Sequence, residues 1–254
     1  MGRHGEVAPC ATQGSRSAKR LRGIAILHED EDVIVFVKPA GLLVQETRRG
    51  GGHTVEEVLS DYVRKGQPRS RRRVYLVHRL DRDTGGVMMV AKSEEVQAHF
   101  REHWNEITEK TYLARVEGRM TEDRGVFESL LAEDADGYRV RSVKDPRRGR
   151  PARTEWTKVS ATAATTLVRV ALKTGRKNQI RVHFAEAGHP VVGDAKYGGA
   201  EKRGRRGEGL CLFAWRLAFI HPRTGKRLFF EAEPPAFART PGAKASPSTE
   251  GRDE

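Results

Sequence analysis

The sequence predicts an α+β fold, with one domain built on a large, mostly antiparallel mixed β-sheet that is flanked by a few helices and basic loops. Short runs of β-branched and other apolar residues recur along most of the 254 residues, whereas only three segments have the spacing of an amphipathic helix. The helices are dispersed irregularly among the strands, which argues against a repeating β-α-β arrangement. No linker divides the chain, so we expect one domain over residues 23–238, between a basic, disordered arm at 1–22 and a disordered tail at 239–254.

In the first half of the chain, apolar runs and two capping signals mark the elements. Thr54 and Glu57 have the spacing of a capping box, and the apolar stripe behind them predicts a helix over 54–63. Ser93 is placed to cap a second helix, whose buried side extends to residue 107. The β-branched runs predict strands at 24–27, 33–37, 74–77 and 87–91.

The second half is dominated by strands and turns, with one more helix. Apolar runs predict strands at 110–118, 138–143, 154–159, 167–172, 210–220 and 227–232. Asn178 is a possible N-cap for a helix whose apolar face continues to Ala187, and Gly188 can be the residue that ends it. Basic segments interrupt the chain at 64–73, 144–150 and 201–206. They are either solvated charge runs or surfaces that contact phosphate.

The excess of positive charge lies in the part of the chain that is predicted to fold. Lys and Arg outnumber Asp and Glu by 47 to 34, which is a formal net charge of +13. Residues 1–23 contribute +4 and residues 239–254 contribute 0, so +9 remains between them. A basic body of this kind indicates a polyanionic partner such as nucleic acid.

Composition argues against several other classes of protein. Cys10 and Cys211 are too few for a disulfide framework or a zinc site, and they suit a reducing cytosol. No apolar run approaches about 18–20 residues, so we expect no membrane span, and no secretory signal is recognisable. The glycine run at 50–52 is not followed by the Lys of a phosphate-binding loop. We therefore expect a cytoplasmic protein that needs neither a cofactor nor a metal.

The strongest indication of chemistry lies in a polar loop between the predicted strands at 74–77 and 87–91. The loop contains Asp81 and Asp83 among arginines, and it ends in a pair of glycines. A loop that is held by flanking strands is where a fold usually places reactive groups. We take Asp81 as the catalytic candidate.

The same residues also fit a different enzyme. Two aspartates and a threonine, Asp81, Asp83 and Thr84, follow an apolar strand, and this arrangement is similar to the nucleophile segment of haloacid-dehalogenase-type phosphatases, which use Mg²⁺. That fold needs alternating strands and helices and a further acidic pair late in the chain. Here the intervening pattern is β-rich and the later segment offers only Asp194, so the phosphatase is the weaker hypothesis.

Five segments, in the same order as in the family, make the chain similar to the RluA-type pseudouridine synthases, which isomerise uridine to pseudouridine in ribosomal or transfer RNA. The segments are 38–42, 78–86, 110–114, 174–183 and 214–222. The resemblance spans roughly residues 24–237, and five collinear segments rarely arise by chance. It implies a cofactor-free enzyme that flips the target uridine out of folded RNA, cleaves the N1–C1′ bond, rotates the base and rejoins it through C5.

The resemblance also implies roles for three residues. Asp81 corresponds to the essential aspartate, which attacks the sugar or the base, or removes the C2′ proton. Arg181 would pair with Asp81 and keep it ionised and oriented. Tyr112 would stack on the target base and help to take the C5 proton at the end, although periodicity alone favours a core residue.

Other positions in the matching segments imply contacts with the substrate. Arg79 would occupy the space that the flipped base leaves, and Lys38 would have a structural or phosphate-side role. The remaining substrate-binding candidates are His78, Thr84, Arg176 and Gln179. The expected partner is RNA, and we expect the protein to be a monomer.

Two positions depart from the family pattern. Gly85 stands where the family usually has serine, which would cost little beyond a local hydrogen bond. Lys177 and Asn178 replace the commoner Ser/Thr-His pair, and this second change lies close to Arg181, where it is placed to alter substrate fit.

A protein of another class would also account for the charge. An RNA-binding or ribosome-assembly protein with dispensable catalysis needs only the basic body of +9.

Overall fold

The computed structural model describes residues 21–46, 53–67, 69–198 and 209–239. Most of the predicted arm, the glycine run at 50–52, the basic segment at 201–206 and the tail after residue 239 lie outside the described residues. None of the described helices is long and apolar enough to cross a membrane.

The described residues form one sheet of eleven strands and three α-helices, which confirms the predicted α+β class. The strands are β1 (Ala25–Glu29), β2 (Val33–Lys38), β3 (Tyr75–Leu76), β4 (Gly85–Ala91), β5 (Thr108–Glu117), β6 (Arg124–Glu133), β7 (Val140–Val143), β8 (Arg150–Ala161), β9 (Thr165–Leu172), β10 (Leu212–Ile220) and β11 (Arg227–Glu231). The helices are α1 (Val55–Arg64), α2 (Glu94–Ile107) and α3 (Gln179–Glu186), and a short 3-10 helix covers Ala236–Ala238.

The order of strands across the sheet is β1-β2-β4-β10-β5-β9-β8-β6-β7, with β3 paired to β4 and β11 paired to β10. β4 and β10 run parallel, with Gly85 opposite Phe213 and Gly86 opposite Ala214. Every other pairing between described strands is antiparallel. The prediction of a mostly antiparallel mixed sheet is confirmed. Since β4 begins directly after the polar loop, this parallel pair fixes the end of the loop in the interior of the sheet.

The sequence pattern did not predict β6. Most of its side chains are exposed or half-buried, and Leu131 is the apolar side chain that it buries. A strand that buries so little apolar surface has no periodic signal in the sequence, because β-propensity mainly reflects packing on a half-buried surface. β6 is instead positioned by its antiparallel ladder with β8.

Strand β2, which pairs with β4, is covered on both faces. Ile34 and Phe36 of β2 pack with Leu59 of α1, whereas Val35 of β2 packs with Phe100 of α2 on the opposite face. All five side chains are completely buried. Strands that are buried on both faces have continuous apolar sequences, which is why β2 shows no alternation.

Helix α3 packs on the other half of the sheet. Ile180 and Phe184 share a hydrophobic cluster with Val168 of β9 and Trp156 of β8. This packing places the first turn of α3, which includes Arg181, within reach of the loop that carries Asp81.

Gly86 occupies a position that only glycine fits. Its φ of 121° is in the region that side chains rarely adopt, and a Cβ there would lie 2.1 Å from the carbonyl oxygen of Ala214. We expect Gly86→Ala to lower the free energy of unfolding by about 3 kcal/mol, because backbone strain and overpacking each cost about 1–3 kcal/mol. Urea denaturation measures the change.

Gly85 provides the matched control. It does not have a positive φ, and a Cβ there would lie 3.3 Å from the carbonyl oxygen of Lys38, which is a tight but adjustable contact. We expect Gly85→Ala to change the free energy of unfolding by less than about 1 kcal/mol. Equal urea midpoints for the two variants would show that the β4–β10 contact does not require glycine.

Candidate active site

The loop between β3 and β4, residues 77–84, is the Asp81 loop. The N–H of Gly41 donates to the carbonyl of Arg82 at 2.8 Å, and Lys38 Nζ donates to the same carbonyl at 2.9 Å. Within the loop, the N–H of Thr84 donates to the carbonyl of Asp81 at 3.1 Å. The segment that follows β2 therefore holds the loop in place.

Lys38 is completely buried at the end of β2. Its ammonium group also donates to the carbonyls of Pro39 at 2.9 Å and Leu42 at 2.8 Å. Burial lowers the pKa of Lys38 to about 8, and the charges of Asp83 and Asp81 oppose this shift. Since the ammonium donates to three carbonyls, the geometry favours a structural role for Lys38 over contact with a phosphate.

One oxygen of Asp81 accepts two strong hydrogen bonds. Arg181 Nη1 donates to Asp81 Oδ2 at 2.8 Å, and Asn178 Nδ2 donates to the same atom at 2.6 Å. The Asp81 side chain is 26% exposed, so it remains accessible from the solvent side. Among the described residues, Asp81 Oδ1 has no hydrogen-bond partner. The carboxylate is thus oriented through one oxygen, and the other is available.

Arg181 is itself held by a second carboxylate. Its Nε and Nη2 donate to Asp194 at 2.7 Å each, in the bidentate arrangement that arginine and carboxylate favour. The Asp194 side chain is completely buried and also accepts the N–H groups of Lys196 and Tyr197. Burial alone would raise the pKa of Asp194, but the hydrogen bonds and charge of Arg181 hold it below its usual value. Asp194 therefore fixes the guanidinium that orients Asp81.

Asn178 is a site residue whose role the sequence did not show. It lies at the N-cap position of α3, as predicted, but its side chain makes no capping hydrogen bond. Asn178 Oδ1 instead accepts from Lys196 Nζ at 2.8 Å and from the Tyr197 hydroxyl at 3.2 Å, which orients the amide so that Nδ2 faces Asp81. Its φ of 52° is in the left-handed region, which asparagine tolerates better than most residues. The sequence signal that pointed to Asn178 was that it stands where RluA-type synthases more commonly have histidine.

A cavity of about 70 Å³ opens beside Asp81. It is lined by seven of the nine predicted site residues, namely Asp81, Tyr112, Arg181, Arg79, Thr84, Arg176 and Gln179. The sequence segments that contain them lie far apart in the chain, and the fold brings them together at this cavity.

Tyr112 lies both in the core and at the cavity. Its ring packs against two hydrophobic clusters, and it also lines the cavity. Burial, and to a smaller extent the charge of Asp81, raise the pKa of Tyr112 above its usual value. The phenol therefore stays protonated at neutral pH, which favours stacking on a base over action as a phenolate.

The side-chain amide of Gln179 makes four hydrogen bonds to other groups of the protein. Its Oε1 accepts from the Thr174 hydroxyl at 2.8 Å and the Arg176 N–H at 3.0 Å. Its Nε2 donates to the Arg153 carbonyl at 3.0 Å and the Thr154 hydroxyl at 2.8 Å. This arrangement favours a role in shaping the loop before α3 over direct contact with a substrate.

His78 does not line the cavity. Its Nε2 accepts the N–H of Met89 at 3.1 Å, and its ring stacks on Trp104 at a centroid distance of 4.6 Å. Burial, reinforced by the charge of Lys110, lowers the pKa of His78 to about 3, so the ring is neutral at physiological pH. His78 lines a larger neighbouring cleft instead.

Within the described ranges, one group of side chains has metal-ligand spacing. Ligand atoms of Asp30, Asp32 and His221 lie within 4.8 Å of one another. They are at the opposite end of β2 from the Asp81 loop, and Asp32 is also bound by Arg223 at 2.7 Å. The group does not include Asp81, so it gives no support to the phosphatase hypothesis.

The sequence model of the family described as RNA pseudouridylate synthase matches residues 32–186, which include Asp81, Tyr112 and Arg181. A protein of Aquifex aeolicus named as an uncharacterized RNA pseudouridine synthase is 35% identical over 225 residues, which are 84% of this chain and 70% of that protein. Ribosomal large subunit pseudouridine synthase D of Nitrosomonas europaea is 34% identical over 220 residues, which are 84% of this chain and 62% of that protein. The chain belongs to the RNA pseudouridylate synthase family.

A solved structure agrees with this assignment. Human RNA Pseudouridylate Synthase Domain Containing 4 superimposes with a TM-score of 0.70 at 26% sequence identity, covering 87% of this chain and 92% of that chain. The resemblance predicted from the five sequence segments is confirmed at the level of the family and of the fold.

Proposed function

We propose that this protein isomerises uridine to pseudouridine in RNA, with Asp81 as the catalytic residue. The observation that supports this most directly is the carboxylate of Asp81, which Arg181 and Asn178 hold through one oxygen at a cavity that Tyr112 also lines. Oriented by two hydrogen-bond donors and partly exposed, Asp81 has the properties that a nucleophile or a general base requires.

The reaction is an exchange of one bond for another within the nucleotide. The C1′–N1 bond breaks and a C1′–C5 bond forms, C5 loses its proton, and N1 gains one. Asp81 either attacks the sugar or the base, or removes the C2′ proton. Arg181 stabilises its charge, and Tyr112 stacks on the flipped base while Arg79 occupies the space that the base left.

The substrate that we propose is large-subunit ribosomal RNA. The relative from Nitrosomonas europaea carries this substrate in its name, and the net charge of +9 between residues 23 and 239 suits a polyanion. Transfer RNA is the alternative. We further propose that the protein acts as a monomer in the cytoplasm.

Tritium release tests the proposal. Purified protein is incubated with large-subunit ribosomal RNA or transfer RNA transcripts that carry tritium at uracil C5, and we expect release from the ribosomal RNA. Release from transfer RNA alone would refute the substrate and keep the reaction, whereas no release from either RNA would contradict the proposed activity. Pseudouridine mapping in cells with and without the gene then locates the modified position.

We expect the hydrogen bond from Asn178 to Asp81 to raise kcat. Asn178→Ala should lower kcat about tenfold with little change in KM, because a hydrogen bond to a charged group contributes about 1.5–3 kcal/mol. Asn178→Asp should lower the rate further at neutral pH, since a second carboxylate would then lie within 2.6 Å of Asp81, and two such groups do not both ionise.

The pH–rate profile separates this role from a structural one. The acidic limb of the Asn178→Asp profile should move to higher pH, while the Asn178→Ala profile keeps its shape at a lower plateau. Wild-type kcat in the alanine variant across the pH range would rule out a positioning role for Asn178.

A further inference from the structure

A cleft of about 740 Å³ adjoins the Asp81 cavity and shares Arg79, Tyr112 and Leu172 with it. Its walls differ in charge. Glu46 and Glu56 lie on the side of α1, whereas cationic side chains come from the Asp81 loop, α2 and β5. These cations are Arg79, Arg101 and Lys110, and they form the cationic wall of the cleft. Arg73 also lines the cleft, but it pairs with Glu94 at 3.1 Å.

Lys110 is the unusual member of this wall. It is 7% exposed, and its Nζ donates to Asn105 Oδ1 at 3.1 Å and lies 5.5 Å from the centre of the Trp104 ring. No carboxylate in the described part of the chain forms an ion pair with it. Burying a charge without a counter-charge is costly, and burial lowers the pKa of Lys110 to about 8. An anion in the cleft would supply the missing counter-charge.

Lys110 lies near Tyr112, the residue that we expect to stack on the target base. It precedes Tyr112 by two residues on β5, so both side chains are on the same face of the strand, about 7 Å apart along it. A base that enters the Asp81 cavity brings its own phosphodiester linkages to the rim of that cavity. The cationic wall lines the cleft that adjoins this cavity, and Arg79 lines both.

Other cations near Asp81 are already engaged. Arg181 binds Asp81 and Asp194, and Lys196 donates to Asn178. Lys38 donates to three carbonyls. The side chains of Arg79 and Arg101, in contrast, have neither a hydrogen bond nor an ion pair with any described residue.

We propose that Arg101 and Lys110 form a subsite for the phosphodiester backbone next to the flipped uridine, while Arg79, which lines both the cleft and the Asp81 cavity, stays with the flipped nucleotide. The inference rests on the proposed function for its substrate, single-stranded RNA at the point of base flipping. The subsite fixes the strand by its phosphates and does not read its sequence.

The test compares Lys110→Met and Arg101→Gln with the wild-type protein. The probe is a short fluorescein-labelled oligouridylate, and its affinity is measured over a range of KCl concentrations. We expect each variant to bind about tenfold more weakly at low salt, as for the loss of one charged hydrogen bond. The slope of log affinity against log salt should become shallower by about 0.7 for each lost phosphate contact.

Lys226→Met is the matched control, because Lys226 is exposed in the turn between β10 and β11, away from the cleft. Its affinity and salt slope should equal those of the wild type. Urea denaturation adds a second measurement. Lys110→Met should be at least as stable as the wild type, because methionine removes a buried charge and keeps the length of the side chain.

Two results would overturn the proposal. One is a slope of log affinity against log salt that is the same in Lys110→Met and Arg101→Gln as in the wild-type protein. The other is weaker binding by Lys110→Met that is accompanied by a lower urea midpoint, with normal binding by Arg101→Gln, since lysine would then be structural. The binding assay does not need turnover, so a protein that released no tritium but showed the expected salt slopes would retain the subsite and lose the proposed activity.

Discussion

Asp81→Asn is expected to lower the release of tritium from uracil C5 by at least about 10³-fold, because an amide at this position neither attacks nor takes a proton. Asparagine has nearly the same size as aspartate, so the Asp81 loop should keep its hydrogen bonds to Lys38 and Gly41. Affinity for RNA should change little, since Arg79, Arg101 and Lys110 remain. The measurements are kcat from tritium release and affinity from fluorescence anisotropy.

Asp83→Asn is the matched control for this experiment. Asp83 lies two residues further along, is exposed, and pairs with Arg82 at 3.1 Å. An exposed ion pair of this kind contributes about 0–1 kcal/mol, so the Asp83 variant should retain near wild-type turnover. Equal turnover by the Asp81 variant and the wild type would show that Asp81 is not the catalytic residue. The RNA-binding or ribosome-assembly hypothesis, in which catalysis is dispensable, makes a different prediction: Asp81→Asn would rescue a deletion phenotype, and wild-type RNA would contain no additional pseudouridine.

The second large effect is expected at the buried carboxylate behind Arg181. Asp194→Asn should lower the free energy of unfolding by about 4 kcal/mol, because breaking a buried ion pair leaves the remaining charge uncompensated. The amide of asparagine also cannot accept both N–H groups of the guanidinium. Since Arg181 then loses the group that orients it, kcat should fall together with stability. Urea denaturation and tritium release measure the two changes.

Glu231→Gln is the control for the effect on stability. Glu231 pairs with Arg216 at 2.7 Å, but both side chains are about one-third exposed. Water screens this pair, so its loss should cost less than about 1 kcal/mol. Similar urea midpoints for the Asp194 and Glu231 variants would contradict the view that the buried pair contributes to the fold.

Much of the fold was predictable because its signals are local. The capping box at Thr54 and Glu57 predicted α1, and both of its reciprocal hydrogen bonds are present. Ser93 likewise caps α2. The continuous apolar runs predicted β2 and β4, which are buried on both faces. In each case the residues that define the element are adjacent, so their spacing is sufficient evidence.

The neighbours of each strand were not predictable in the same way. β4 pairs in parallel with β10, more than 100 residues later, and no local pattern distinguishes that pairing from others. The close approach of Gly86 to Ala214 depends on it. The outer strand β6 was missed because its stability comes from its ladder with β8 and not from its own apolar residues.

In the candidate site, too, the features that depend on local sequence were predictable, and those that depend on tertiary packing were not. The sequence by itself determined the α+β class, the basic character and the segments that contain Asp81, Tyr112 and Arg181, because each depends on residues that are close in the chain. Only the tertiary structure decided that Asp194 orients Arg181, that Asn178 binds Asp81 and that Lys38 supports the Asp81 loop. These hydrogen bonds join groups from different elements. Their partners are defined only when α3, β2 and the loop before β4 are packed together.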